Sequence, residues 1–235
     1  MSKPVPMPLT PLPPTQPAST TDMVFDRLHE AVVSLDMPPG TKISEAEIAR
    51  ALGVSRQPVR DAFFRLSKLG FLSVRPQRAT QVTRISRTAV LRAAFIRLAL
   101  ELACLNAALP RLTAADLEAL KADIDAQDRA IADGDRPAFH RLDDRFHRRI
   151  CDIAGHGYAW ELIREQKAHM DRVRFLSLAT GSADALDDHR QLLRAMRAKD
   201  RDTAETVLHR HLGRVAGAMD RLQPDHPDYF EEASQ

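Results

Sequence analysis

Asp143 and His147 stand four residues apart in a stretch of helical periodicity, which places both side chains on one helix face. His189 lies in the next-to-last helical segment of the chain and His211 in the last. One carboxylate and three imidazoles suit Zn²⁺, Ni²⁺ or Mn²⁺, with coordination positions left for water or a ligand. The same Asp-x3-His spacing also describes an ordinary surface pair, and histidines distant in sequence count for nothing until a fold gathers them. Arg97 is a further candidate. It sits in the strongly apolar segment Val90–Leu109, where a guanidinium buried without an anion would be costly. Glu101, four residues on, offers an internal ion pair. Alternatively Arg97 faces a cavity and holds a carboxylate effector bidentately. His29, His140, His169, His209 and His226 are read as structural or surface residues.

A second constellation carries different chemistry. Ser55, Arg56, Gln57 and Arg60 fall in the first turns of a predicted helix that follows Gly53. Arginine can pair bidentately with guanine, and glutamine with adenine, in the major groove of double-stranded DNA. Arg75 and Arg78 border the turn of a predicted hairpin and can lie along phosphates. Between Val54 and Arg87 the basic residues are Arg56, Arg60, Arg65, Lys68, Arg75, Arg78, Arg84 and Arg87, against Asp61 alone. A whole-chain charge of +2 conceals this local excess, which has the form of a nucleic-acid footprint.

The elements that must position these residues can be read in turn. Val24, Leu28, Ala31, Val32 and Leu35 mark a first helix, with Pro38-Pro39-Gly40 ending its connection. Ser44 and Glu47 form a capping box for a short helix carrying Ile48, Ala51 and Leu52 on one face and stopping at Gly53. Ser55 caps the next helix. Pro58 has no N–H, so the Ser55 oxygen is expected on Gln57, and Val59, Ala62, Phe63, Leu66 and Leu69 form the core stripe up to Gly70. Helix, Gly-containing turn, helix is a helix-turn-helix. The runs 71–74 and 80–83 flank the turn 75–79 as a small β-wing.

Beyond Ser86 only helical periodicity remains, with helices expected near 87–109, 114–133, 135–154, 158–179, 183–199 and 201–222. Pro110, Gly134, Gly155-His156-Gly157, Gly181 and Asp200 fall at the boundaries. The fold class is therefore mainly α: an N-terminal winged helix-turn-helix over 21–86 and a C-terminal antiparallel all-α bundle over 87–222. Residues 1–20, with seven prolines, are expected as a disordered or extended arm, and 223–235 as a solvated acidic tail. Cys104 and Cys151 are expected as buried free thiols in a reducing compartment. No apolar run is long enough to span a membrane and the N-terminus lacks a signal-peptide pattern, so a cytoplasmic protein is expected.

The segments Pro38-Pro39-Gly40, Ile43-Ser44-Glu45, Ile48-Ala49, Leu52 to Arg56, Pro58 to Ala62 and Leu66 to Gly70 resemble the winged-helix domain of GntR-type transcription regulators. In that family the arginines matching Arg56 and Arg60 touch operator DNA. Ala79 stands where the family's wing tip usually carries glycine. The helices from about 87 to 222 resemble the FCD effector domain of the FadR-type branch. Ile96-Arg97 and Leu100-Glu101 match its opening helix, and Asp143-x-x-Phe146-His147, His189-Arg190-x-Leu192 and His211-Leu212 match its metal-binding pattern. His156-Gly157 replaces the Asn-Pro often found after this motif. The resemblance implies a divalent metal on Asp143, His147, His189 and His211, with Arg97 helping to hold an organic acid that also meets the metal.

Together these readings point to a homodimeric DNA-binding regulator, expected as a repressor, whose operator affinity follows a small organic acid. A metal-responsive regulator is the alternative, and a metal-dependent hydrolase the rival from another class. Against the rival, the chain lacks His-Glu-x-x-His and the Glu-x-x-His motifs of di-metal bundles, and no glutamate is placed as an evident general base.

Overall fold

The computed structural model describes residues 19–75 and 79–232, apart from the side chains of 178–180. The proline-rich stretch up to residue 18 and the wing-tip residues 76–78, Arg78 among them, lie outside the described residues. α1 (Thr20–Val33) starts at Ser19, whose hydroxyl accepts from the Asp22 N–H while Asp22 reaches back to the Ser19 N–H. It buries Val24, Leu28, Val32 and Val33. Leu35 is not part of that helix: it follows the C-cap Ser34 with φ +69°, a left-handed conformation that leucine seldom adopts.

β1 (Lys42–Ile43) leads into α2 (Glu45–Leu52), capped by the Ser44 hydroxyl on the Glu47 N–H and ended by Gly53 at φ +66°. The Glu47 carboxylate accepts from that hydroxyl at 2.8 Å. α2 buries Ile48 and Ala49, whereas Ala51 and Leu52 are exposed. Eight residues are too few for periodicity to fix the buried face. α3 (Arg56–Lys68) follows Ser55, but the Ser55 side chain makes no cap bond. Its usual partner, the N–H of the third helical residue, is missing because that residue is Pro58, and Gln57 does not substitute. Val59, Ala62, Phe63 and Leu66 form the buried stripe, and Leu69 is the half-exposed C-cap before Gly70 at φ +81°.

β2 (Leu72–Ser73) and β3 (Thr80–Val82) pair antiparallel as the wing, and β1 adds on the other side of β3 to give the order β1-β3-β2. Leu72 faces Val82 and Ile43 faces Thr80 in these ladders. The third strand was not anticipated, since two residues carry no alternation to read.

The C-terminal bundle comprises α4 (Arg87–Ala108), α5 (Ala114–Ala132), α6 (Arg136–Ile153), α7 (Gly157–Ala198) and α8 (Arg201–Asp225). Where the sequence suggests two helices separated at Gly181, α7 runs unbroken for 42 residues. An interior glycine costs a helix only about 1 kcal/mol, and neither a proline nor an N-cap bond interrupts the ladder there. At roughly 1.5 Å per residue the helix is about 60 Å long. It enters all three apolar cores. Ala168 packs into the winged-helix core, Met170 and Val173 into the junction, and Ile163 and Leu192 into the bundle.

The junction between the two halves is polar as well as apolar. His169 on α7 stacks on Phe71 with ring centroids 4.4 Å apart, and its Nε2 lies 2.9 Å from the Leu69 carbonyl. The Arg172 guanidinium donates to the Thr83 carbonyl at 2.6 Å. The expected solvated tail is partly docked here instead: Phe230 is buried, and the Ile85 N–H donates to the Tyr229 carbonyl at 2.7 Å. Cys104 and Cys151 are free and buried, and the fold brings their thiols into hydrogen-bonding reach across α4 and α6.

Candidate effector site and DNA-binding face

Asp143 and His147 project from one face of α6, His189 from α7 and His211 from α8, and all four are buried. Their candidate ligand atoms lie within 4.8 Å of one another. The Nε2 atoms of His147, His189 and His211 are mutually 3.1–3.3 Å apart. Nitrogens about 2.0–2.1 Å from one ion would be separated by roughly 2.8–3.0 Å in octahedral and roughly 3.3–3.4 Å in tetrahedral geometry, which brackets the spacing seen. Asp143 Oδ1 is 3.6 Å from His189 Nε2, and its Oδ2 is 3.9 Å from His147 Nε2.

The outer nitrogens of the rings settle which way each imidazole presents itself. His189 Nδ1 lies 2.7 Å from Gln127 Oε1, and His147 Nδ1 lies 2.6 Å from Glu101 Oε2. His211 Nδ1 faces Asp188 Oδ2 at 3.6 Å. The Gln127 oxygen hydrogen-bonded at His189 Nδ1 favours the tautomer whose Nε2 lone pair points inward. The carboxylates of Glu101 and Asp188 near the other two Nδ1 atoms favour the same arrangement electrostatically. Burial, reinforced by the adjoining His211 ring, holds His189 well below its ordinary pKa, and burial lowers His211 too. Neutral imidazoles are the form that coordinates metals.

Arg97 makes the internal ion pair and also borders a cavity. Its Nε donates to Glu101 Oε1 at 2.6 Å within a buried pair, while its Nη2 has no partner. Glu101 thus braces both Arg97 and His147. That cavity, of about 470 Å³ and open on one side, lies between α4, α6, α7 and α8, and Asp143 and His211 open into it. That volume is within the usual range for small-molecule sites. Among the described residues its lining holds Arg97, Arg174, Arg210, Arg214 and Arg221 against Asp143 and Asp184.

Sequence reasoning missed Arg174. Its Nη2 donates to Asp143 Oδ2 at 2.5 Å and its Nη1 to Asp171 Oδ1 at 3.1 Å. Burial would push the Asp143 carboxyl up, but Arg174 together with the three neighbouring histidines outweighs it and holds the group well below the ordinary carboxylate range. Lys167 and His140 complete the surroundings of Asp171, at 2.5 and 3.2 Å. Gln127 and Asp188 were missed too. Neither stands in a spacing that marks it, and Asp188, although adjacent to His189, serves His211 on the next helix.

On the other half of the molecule, Ser55, Arg56, Gln57 and Arg60 are all exposed on the leading turns of α3. Glu45, at the start of α2, lies 3.3 Å from both Arg56 Nη2 and Arg60 Nη2. Gln57 donates to Asp61 at 3.0 Å. Arg75 is exposed at the wing. The basic stripe is narrower than the sequence suggests, because Arg65, Arg84 and Arg87 are engaged by Asp22, Asp228 and Asp220. Arg65 also lies 3.9 Å above the Phe25 ring.

Replacing Arg97 with Met strips the buried Glu101 of its guanidinium. The expected loss is about 3–5 kcal/mol of unfolding free energy, as for other broken buried pairs. Arg129→Gln, at an exposed position of α5, should change stability by about 0.5 kcal/mol or less. Urea unfolding of the two variants checks both, and equal effects would show that the Arg97 pair is not a stability determinant.

Comparison with known proteins agrees with both halves. Residues 20–82 match the model of bacterial regulatory proteins of the gntR family, and residues 93–214 match the FCD domain. The HTH-type transcriptional repressor RspR of Escherichia coli K12 is 33% identical over 225 residues, spanning 95% of this chain and 98% of that protein. An HTH-type transcriptional regulator in an unstable DNA locus of Streptomyces ambofaciens is 32% identical over 88% of each chain. Among solved structures, E. coli McbR/YncC superposes with a TM-score of 0.72 at 24% identity, over 86% of this chain and 98% of that one, a likeness of fold. No helix among the described residues is long and apolar enough to cross a membrane. The chain belongs to the GntR family of bacterial regulatory proteins, in the group that carries an FCD domain, and is a DNA-binding transcription regulator and not an enzyme.

Proposed function

We propose that this regulator is a homodimeric repressor whose hold on a two-fold related operator is set by a small organic acid bound beside a divalent metal. The observation that carries the metal is the convergence of three Nε2 atoms within 3.3 Å, each ring braced from behind by an oxygen of Glu101, Gln127 or Asp188. Asp143, His147, His189 and His211 would hold Zn²⁺, Ni²⁺ or Mn²⁺. When bound, the ion supplies a Lewis-acidic position for a carboxylate oxygen. Arg97 Nη2, buried and unpartnered at the cavity wall, is the protein's own anchor for that carboxylate. Arg56, Gln57 and Arg60 read base edges, and Ser55 and Arg75 meet the backbone; Arg78, expected in the same role, lies outside the described residues.

Dimerisation is supported by two features. One short recognition helix reads only a few base pairs, so a specific operator calls for two. On α4, Leu91 and Phe95 stand one turn apart with 40% and 73% of their surfaces exposed, an apolar strip suited to a second copy. Control of DNA binding requires the acid to favour one arrangement of the two winged helices over another. α7 supports such coupling: His189 lies on the same rigid helix as His169 and Arg172, which grip the winged half.

Arg56→Ala and Arg60→Ala should each weaken operator binding by about 1–3 kcal/mol at fixed salt, with an unchanged melting temperature. Mobility-shift titration reads this, and parental affinity in both variants would remove α3 as the reader. Phe95→Asp should move the sedimenting species toward monomer. An unshifted dimer would place the interface elsewhere. The double variant His189→Ala, His211→Ala should lose bound metal and acid binding while keeping effector-free operator binding, with helicity followed by circular dichroism. Mass spectrometry reads the metal, and an undiminished content would assign the ion to other residues. Because the ligands span α6, α7 and α8, chelation of the parent should also lower its melting temperature.

A further inference from the structure

We infer that the effector carries two anionic groups: one meets the Asp143 and Arg97 end of the cavity, and the second is received by Arg221 farther along α8. This deepens the carboxylate reading above and rests on it. The cavity follows α8 for nearly three turns, from His211 past Gly213 and Gly217 to Arg221. A glycine inside a helix is unfavourable for the helix itself, so Gly217 on the lining face calls for a reason outside propensity. A side-chain carbon built at Gly213 would meet nothing within 4 Å, and at Gly217 it would meet only Arg221 Nη1, at 3.4 Å. Gly213 faces open space on the far side of the helix from His211, whereas Gly217 leaves room at the cavity for the Arg221 guanidinium, which folds back over it.

The charges of the lining separate into spent and available ones. Arg210 and Arg214 both hold Asp188, and Arg214 also reaches Asp184. Arg174 is shared between Asp143 and Asp171. Arg221, exposed at the rim of the cavity, makes no ion pair among the described residues, and the buried Arg97 Nη2 has no partner. Two available guanidinium groups therefore line one cavity, one buried on α4 and one exposed on α8. His211 and Gly217 are six residues apart, about 9 Å along the helix axis. An acid whose two carboxylates are separated by about four to six carbon–carbon bonds can reach both groups, whereas a monocarboxylate or a very short diacid reaches only one. The ligand class is thus a linear dicarboxylate, or a sugar acid bearing a second carboxylate or a phosphate.

The test uses the full chain loaded with Zn²⁺ and titrated calorimetrically with hexanoate, adipate and malonate. Adipate should bind about tenfold more tightly than hexanoate, the scale of one charge-assisted pair at a partly open site. Malonate should gain nothing from its second carboxylate through Arg221. Arg221→Gln should lower adipate to the level of hexanoate and leave hexanoate unchanged, with the same melting temperature as the parent, and Arg221→Lys should restore part of the preference. Equal binding of hexanoate and adipate by the parent would overturn the second anion site while leaving the carboxylate reading intact. So would an adipate preference that survives in Arg221→Gln. Failure of every acid to bind would instead defeat the carboxylate reading itself, and the two-anion inference with it.

Discussion

Charge buried in the middle of a helical bundle must be paired, and much of this structure follows from that constraint. Asp143, Glu101, Asp171 and Asp188 all lie inside, and each is met by a cation from a neighbouring helix or turn: Arg174, Arg97, Lys167 and the Arg210 and Arg214 pair. Arg174 ties α7 to Asp143 on α6, and Arg210 and Arg214 tie α8 to Asp188 on α7. The Arg97–Glu101 and Lys167–Asp171 pairs lie within α4 and α7, and Glu101 reaches α6 through His147. The carboxylates that hold the arginines are, for Glu101 and Asp188, the same ones that face the histidine rings. Ring orientation and bundle assembly are therefore one problem with one solution, and a change at Arg97 or Arg214 acts on His147 or His211 without touching either.

The uninterrupted α7 gives that network its reach. A break at Gly181 would have produced two short helices able to shift independently. Instead the residues that grip the winged half and the histidine that joins the cluster belong to one rod. Arg172 illustrates the tightness of the joint. Its guanidinium donates to the Thr83 backbone while burial lowers its pKa to about 10, and its Nε and Nη1 have no hydrogen-bond partner. Such a group tolerates little rearrangement around it, since any displacement costs its one backbone contact.

The sequence was most legible where local chemistry decides the outcome. Ser44, Gly53 and Gly70 punctuate the helices through capping and left-handed backbone, and Val59, Ala62, Phe63 and Leu66 could be placed by period alone. The four-residue spacing of Asp143 and His147 correctly put both on one face. Their meeting with His189 and His211 could not be obtained from spacing, because it depends on how three helices cross. Gln127 and Asp188 were invisible for the same reason. Gly181 misled because a glycine marks a helix end only when other signals accompany it. Phe230 was hidden in an acidic tail, its burial decided by a groove that exists only once the two halves have packed. The thiols of Cys104 and Cys151, 47 residues apart in the chain, are neighbours for the same tertiary reason.

Glu45 has a consequence for DNA binding beyond its contacts. Away from DNA it occupies Arg56 and Arg60 together, so the two side chains that would clamp onto any passing phosphate already have a local companion. Random duplex offers only an exchange of one carboxylate for one phosphate, a nearly level trade. A base edge that accepts two hydrogen bonds from one guanidinium offers more than the carboxylate did. On the proposal that Arg56 and Arg60 meet the operator, the resting pair would lower the gain from phosphate contacts on unrelated sequence, and its effect is small because both arginines are largely exposed.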